Sequence, residues 1–426
     1  MRYEKYKQTG IPWLPEVPEG WVIRRFKYVV TSLRKGNGVT KEDVVENGDL
    51  PCVRYGEIYT KYDHSFKHCI SKTKKELIAK PQYFKKGDIL FSCTGELVEE
   101  IGKNIVYCGE GSCVAGGDII VVSHSQNPEY LNYYLSSYPT QLQKSYGKAK
   151  LKVVHIHASD IQNLVTLLPS LPEQRAIVAY LDDKCGKIDE LVAAKEKEVE
   201  LLKELKQTVI ADAVTKGIDG SSPNKETGVF WQPLMPEGWS VRKLRHILKK
   251  LDRPRPDGAE LLVCTNKGTV NKRGDAKIGL VSEDVSIYQG VASGDLLIHG
   301  MDTWHGAIAV SKLNGMCTTV VHVCDSTENK LFVAHYLRNM ARGRLFKLLS
   351  NGVRQNTSDF RSWEKLAPLQ IVLPPREEQN KIVAYIEEKT AKIDQAVAGL
   401  AQQVAALKEY KQRLIADVVT GQMRVA

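Results

Sequence analysis

Two long stretches of the chain carry apolar residues at helical spacing. After Pro169 and Pro172, the positions Ile177, Leu181, Ile188, Val192, Val199, Leu202, Val209 and Ala213 step by three, four or seven, and the pattern stops near Gly217. After Pro374 and Pro375, Ile386, Ile393, Val397, Leu400, Val404, Leu407, Leu414 and Val418 do the same and stop at Gly421. Seams of this a/d type predict two long helices of coiled-coil character, each opened by proline, closed by glycine and free of internal proline. At 1.5 Å per residue, the span from Glu173 to Lys216 covers roughly 65 Å. The second helix needs a surface for its seam and finds it by returning along the first, so an antiparallel pair is expected. The C-terminus should then come back to the first half of the chain, where residues 1–21 should take the place that residues 219–239 take at the other end.

Outside the helices the pattern changes to short apolar runs bounded by Gly, Ser or Asp: Asp88-Ile89-Leu90-Phe91, Ile119-Ile120-Val121-Val122, Asp295-Leu296-Leu297-Ile298 and Val320-Val321-His322-Val323. These read as strands. Tyr130 to Tyr138 and Phe332 to Met340 read as matching short helices, so each insert is a mixed α/β domain.

The two halves are copies in their frame and unlike in their inserts. Arg175-Ala176-Ile177-Val178-Ala179-Tyr180-Leu181 returns 205 residues later as Asn380-Lys381-Ile382-Val383-Ala384-Tyr385-Ile386, while Trp13, Pro15 and Pro18-Glu19-Gly20-Trp21 return 218 residues later as Trp231, Pro233 and Pro236-Glu237-Gly238-Trp239. The expected domains are a first insert with its N-terminal segment (1–170), a central helix (171–217), a second insert with its repeated opening (218–372) and a C-terminal helix (373–426). A frame held constant around two divergent inserts suggests that two different things are read.

Charge separates inserts from frame. The net charge is +10. Residues 22–170 hold 20 Lys+Arg against 15 Asp+Glu and residues 240–372 hold 20 against 12, whereas 173–216 hold 8 against 10 and 376–426 hold 8 against 7. Two basic inserts on a neutral frame suit a polyanion bound at two places. The 426 residues, 42% hydrophobic and 26% charged, suffice for two to four self-supporting domains. No apolar run reaches membrane length and the opening Met1-Arg2-Tyr3-Glu4-Lys5 lacks a secretory pattern, so a cytoplasmic setting is expected. Nine cysteines without a C-x-x-C pair fit reduced thiols.

Motifs for catalysis are weak. Gly95 to Lys103 misses the phosphate-loop spacing and has Asn104 where Ser or Thr is needed. Pro256-Asp257 with Asp275-Ala276-Lys277 mimics a metal-dependent nuclease but sits in a turn-rich stretch with no counterpart in the other copy. His64, His68 and Cys69 lack a defined fourth ligand, so no metal site is assigned.

Each insert closes with a short apolar strand, prolines and an E-Q-x-x-I helix start: Leu171-Pro172-Glu173-Gln174-Arg175-Ala176-Ile177, then Leu373-Pro374-Pro375-Arg376-Glu377-Glu378-Gln379-Asn380-Lys381-Ile382. With the repeated Pro-Glu-Gly-Trp opening, the whole chain resembles the specificity subunit of type I restriction-modification systems. The resemblance implies two α/β target recognition domains related by a pseudo-two-fold axis and joined by two long antiparallel coiled-coil helices. It implies that each domain reads one half of a bipartite, asymmetric site in double-stranded DNA, while the helices set the spacer and dock two modification (methyltransferase) subunits, with restriction subunits joining the full complex. The chain itself would be non-catalytic and without cofactor; S-adenosylmethionine, ATP and Mg would belong to the partner subunits. The seam residues Ile177, Leu181, Ile188, Val192, Leu202, Val209, Ile386, Ile393, Val397, Leu400, Val404, Leu407 and Leu414 are the docking candidates.

Two other classes compete. A stand-alone DNA adenine methyltransferase needs an Asn/Asp-Pro-Pro-aromatic motif, and Leu373-Pro374-Pro375-Arg376 lacks both functional residues, as Ala115-Gly116-Gly117-Asp118 lacks the cofactor-loop spacing. A coiled-coil scaffold without a nucleic-acid role leaves the basic inserts unexplained. For base and phosphate contact, loop position and side-chain chemistry select Arg54, Tyr55, Lys61, Thr94, Glu96, Lys148 and Lys150 in the first insert. In the second they select Lys267, Asn271, Lys272, Arg273, Thr303, Trp304, His305, Arg354 and Gln355.

Overall fold

The computed structural model describes residues 2–148, 153–219, 223–274, 285–350 and 360–425. Lys150, Arg354, Gln355 and the Asp275-Ala276-Lys277 string lie outside them. The chain is mixed α/β and forms two compact units, Met1–Glu196 with Gln402–Ala426, and Lys197–Ala401. Two long helices, Leu171–Lys216 and Arg376–Val419, run as the seams predicted.

In the first unit a five-stranded sheet has the order Val30–Lys35, Ile119–His124, Ile89–Ser92, Asn104–Tyr107, Ser65–Phe66. All its pairs are antiparallel except the last. A four-stranded sheet, Ser71–Thr73, Leu50–Val53, Cys113–Ala115, Tyr83–Phe84, accompanies it. The second unit repeats the central part as Leu248–Lys250, Val321–Ser326, Leu296–His299, Ile308–Val310, all antiparallel. In place of the four-stranded sheet it has two antiparallel pairs, the hairpin Leu262–Cys264 with Val270–Lys272 and the strands Gln289–Val291 with Gly315–Cys317. The inserts thus share a centre and differ in what is attached to it.

The shared centre has a shared start. Asp88 and Asp295 precede their strands and are buried. Asp88 accepts from the Lys85 backbone N–H at 3.0 Å, Arg34 at 2.9 Å and Ser123 at 2.7 Å, and Asp295 accepts from the Ala292 N–H at 2.7 Å and from Arg253. A buried carboxylate is tolerable because charge-assisted donors surround it. The short helices also match, although the first runs from Pro128 to Ser136, two residues earlier than its apolar pattern suggests. Asn127 caps it, accepting from the Tyr130 N–H at 2.8 Å, and Pro128 at its first turn needs no donor. Asn329 caps the counterpart, Lys330–Arg342, in the same way.

One buried side chain ties each of these caps to a long helix, and it explains the repeated Glu-Gln pair. Gln174 accepts from the Asn127 N–H at 3.0 Å and donates to the Pro169 carbonyl at 3.0 Å and to Gln126 at 2.8 Å. Gln379 accepts from the Asn329 N–H at 2.8 Å and donates to the Pro374 carbonyl at 2.9 Å and to Glu328 at 2.6 Å. The preceding or nearby acid holds the Pro-Glu-Gly-Trp tryptophan: the Trp21 indole donates to Glu173 at 3.1 Å and the Trp239 indole to Glu378 at 3.0 Å. Both indoles are 2% exposed.

Within the first unit the end of the second long helix meets the N-terminal hairpin, Tyr6–Ile11 with Leu14–Pro18. Tyr6 donates to the Gly421 carbonyl at 2.8 Å and Gln422 to the Glu16 carbonyl at 3.1 Å. Gly421 stops the helix at φ +74°, and a Cβ there would come within 2.4 Å of Pro18. Within the second unit the hairpin Asn224–Glu226 with Leu234–Pro236 stands beside the end of the first long helix, where Gln232 donates to the Thr215 carbonyl at 3.0 Å. Each opening thus stands beside the end of a long helix, though the bonds that hold it there differ between the copies.

The helices lie antiparallel inside the first unit, where Lys411 meets Asp189 at 2.7 Å, Lys408 meets Glu196 at 2.8 Å and Lys195 meets Gln403 at 2.6 Å. In the second unit Lys206 meets Asp394 at 2.6 Å. Exposed pairs of this kind contribute about 0–1 kcal/mol each and so fix register more than they add stability. The seam is used unevenly. Ile177, Leu181, Ile188, Val192 and Leu414 are buried in the first unit's core, and Ile386 in the second's. Leu400 is buried too, while Leu202, Val209, Ile393, Val397, Val404 and Leu407 are half-buried, as a two-helix seam with one open side must be. The buried members are spent on internal packing and are not docking surface. The exposed large apolar residues of the first long helix are Leu171, Leu191, Leu201 and Leu205.

Candidate nucleic-acid interface

In the first module the short helix Tyr55–Thr60 and the loop after Ile89–Ser92 come together: a Cβ on Gly95 would meet the Tyr59 hydroxyl at 3.0 Å. This places Tyr55 (42% exposed) and Lys61 in the same neighbourhood as Thr94 and the exposed Glu96. Thr94 pairs with His155, the two side chains 3.2 Å apart. Two expected contact residues are otherwise engaged. Arg54 caps the helix, its guanidinium donating to buried Glu57 at 3.0 and 3.2 Å, and Ser71 donates to the same carboxylate. Lys148 is held by Asp160 at 2.6 Å. Both are structural ion pairs in this fold, and a free groove-reading role does not suit them.

In the second module Lys267, Asn271 and Lys272 are exposed on the Leu262–Cys264/Val270–Lys272 hairpin, with Lys272 beside Glu260 at 2.5 Å. Arg273 follows, half-buried, its backbone N–H donating to the Leu261 carbonyl at 2.9 Å. The segment Thr303–His305 lies close by, since a Cβ on Gly306 would stand 3.8 Å from the Asn266 carbonyl. Trp304 carries the His305 ring at 3.8 Å and the Lys347 ammonium at 5.5 Å, and His305 is exposed. Thr303 is fully buried, so its side chain is interior and leaves the contact list. Sequence position alone could not foresee this, because the loop turns its first residue inward under helix Lys330–Arg342.

A cleft of about 1030 Å³ in the first unit was not anticipated. Its walls include Asp63, His64, Lys144, Asp182, Asp189 and Lys411. Asp63, Glu99, Glu100, Asp182, Asp189, Glu409 and Asp417 outnumber Lys103, Lys144, Lys411 and Arg413 along it, so it is a poor cradle for a polyanion. His64, one of the residues with metal-like spacing, instead stacks on Tyr133 at 3.9 Å, and burial pulls its pKa down to about 4. Lys144 is fully buried and donates to the Gly102 carbonyl at 2.9 Å and Asn104 at 2.8 Å.

Burial lowers the Lys144 ammonium from 10.5 to about 7. Between about 7 and 10.5 the unfolded chain therefore binds more protons than the folded one, so this residue's contribution to stability rises with pH across that window. Lys144→Met should flatten the rise: between pH 7.5 and 9.5 the variant's melting temperature should increase less, or fall more, than that of the wild type. Parallel curves would show that Lys144 stays charged when folded.

The family model for the type I restriction modification DNA specificity domain matches residues 18–201. The type I restriction enzyme MjaX specificity subunit of Methanocaldococcus jannaschii is 24% identical over 99% of this chain and 97% of its own length. Over its whole length the chain is similar to a type I restriction enzyme specificity subunit. The StySPI specificity subunit of Salmonella potsdam, 23% identical over 96% of this chain and 90% of its own length, spans both modules and both helices likewise. The fold agrees: a chain from a solved type I restriction-modification system superimposes with a TM-score of 0.73 at 17% identity, covering 96% of this chain and 99% of the other. The HsdS subunit of Thermoanaerobacter tengcongensis gives 0.52 at 18% identity, with coverage of 96% and 98%. The Gln174 and Gln379 joints are what the two copies share: the recurring residues bond backbone of the frame and of the short-helix caps, while the inserts of the two copies differ.

Proposed function

We propose that this chain is the DNA-recognition subunit of a type I restriction-modification complex, in which each module reads one half of a bipartite, asymmetric site. The observation that carries this reading is the pairing of one repeated frame, with the same Trp–Glu and Gln–Asn joints in both copies, with two basic inserts built differently around a common sheet. Unlike surfaces on like mounts suit unlike half-sites, and half-site spacing follows from rigid mounting. The long helices act as the ruler for the spacer. Modification subunits dock against exposed helix positions, with Leu201 and Leu205 (55% and 49% exposed) as the apolar candidates in place of the buried seam residues. Methyl transfer and ATP-driven cleavage then reside on partner subunits together with S-adenosylmethionine, ATP and Mg, and the chain works in the prokaryotic cytoplasm.

Sequencing of methylated DNA from cells that express the chain with its modification subunit should reveal one split motif, absent when the chain is omitted. Methylation independent of the chain would overturn the reading. A scaffold role is separated by salt: recognition should weaken steeply as ionic strength rises, and a scaffold should show no such DNA affinity to lose.

A further inference from the structure

Arg338 lies on the helix Lys330–Arg342. Among the described residues no carboxylate stands within ion-pair distance of it, and its buried Nε has no hydrogen-bond acceptor. Its Nη2 donates to the Lys267 carbonyl at 2.9 Å. The guanidinium lies against Gly268: a Cβ there would meet Nη1 at 2.1 Å, Cζ at 2.2 Å and Nε at 2.7 Å, and Gly268 has φ +76°. The backbone favours glycine here, and a Cβ would push the guanidinium out of its place.

The turn above it is braced and exposed at its tip. The Thr265 N–H donates to the Thr269 carbonyl at 2.9 Å, the Gly268 N–H to the Thr265 carbonyl at 3.0 Å, and the two threonine hydroxyls are 2.8 Å apart. Asn266 and Lys267 stand out from it, exposed. The half-buried guanidinium leaves its buried Nε without an acceptor, which costs free energy that the isolated protein does not recover. A nearby polyanion would recover part of it, and a second cation is at hand, the Lys347 ammonium over neighbouring Trp304.

We propose that the Thr265–Thr269 turn is the recognition finger of the second module and that Arg338 is its positioning residue, fixing Asn266 and Lys267 in the orientation that meets the duplex. The proposal rests on the DNA-recognition reading above and adds a finger and its prop to it. The device belongs to the second module alone. Tyr134-Leu135-Ser136 in the first copy corresponds to Tyr336-Leu337-Arg338, and Ser136 instead accepts from Asn104 at 2.9 Å. The effect of removing it should therefore fall on one half-site.

The test uses the complete complex with its modification subunits, on the methylated motif and on single-base variants of each half. Arg338→Ala should lose about tenfold discrimination at bases of the second half-site, leave the first half unchanged and bind with a shallower salt dependence. Arg338→Lys should restore the salt dependence without restoring the discrimination, because an ammonium lacks the plane that rests on Gly268. Gly268→Ala keeps the charge but displaces the guanidinium, and should behave like Arg338→Lys, which covers the case in which the alanine variant unfolds. Discrimination unchanged in Gly268→Ala, or lost equally in both half-sites in any variant, overturns the proposal. A wild-type complex that methylates no split motif overturns the underlying reading instead.

Discussion

Trp21→Ala should lower the stability of the first unit by about 3–5 kcal/mol, among the larger costs available to one substitution. The indole is 2% exposed and belongs to the main core of that unit, beside Leu14, Val17 and the helix residues Ile177 and Val418. Its ring also stands 5.8 Å from that of Tyr3, and the Tyr3 hydroxyl shares the Glu173 carboxylate at 2.8 Å. Removing it opens a cavity where the N-terminal hairpin, the start of one long helix and the end of the other converge, so three segments distant in sequence lose a common contact. For a unit of this size the fall corresponds to roughly 6–20 °C in melting temperature. Trp21→Phe keeps most of the packing and loses the indole bond, for which about 1–2 kcal/mol is expected. Trp239→Ala should act likewise on the second unit through Glu378. Calorimetry of the three variants checks this, and melting of Trp21→Ala within a degree of wild type would remove the joint from the list of elements that hold the frame.

The frame was legible because its signals are local and repeated. Heptad spacing marks the long helices, and the prolines and glycines at their ends mark the bounds to within two or three residues. The apolar runs marked the central strands, while their leading aspartates proved to be capping groups outside the strands. The interface was less legible, because a polar residue in a loop has several uses that composition does not distinguish. Arg54 has the chemistry of a guanine reader, yet Glu57 three residues on claims it; Thr303 faces inward; Lys148 has Asp160. Arg338 escaped notice for the opposite reason. It sits in a helix, and only the fold brings Gly268, 70 residues earlier, against its guanidinium.

Exchange of residues 22–170 for the equivalent of another family member should change one half of the recognised motif, with roughly 10³-fold or greater loss at the original half and none at the other. The geometry favours such an exchange. The segment enters on the strand Val22–Arg25 and leaves on Val165–Leu168, which pair antiparallel with Val22 opposite Leu168, so its two ends are neighbours on one ribbon. Trp21 and Gln174, which join hairpin and short helix to the frame, lie just outside the exchanged span and stay in place. The incoming module has to supply a backbone N–H for Gln174 at its helix cap and a residue able to meet Asp182, as Tyr133 does at 2.8 Å. Both demands fall on the short helix Pro128–Ser136 of the insert. The finger at Lys267 is untouched, which makes the second half-site an internal control. Methylated-DNA sequencing of the chimera decides the matter: specificity altered in both halves would mean that each module is tuned through the other, and the independence implied by two separately joined units would fail.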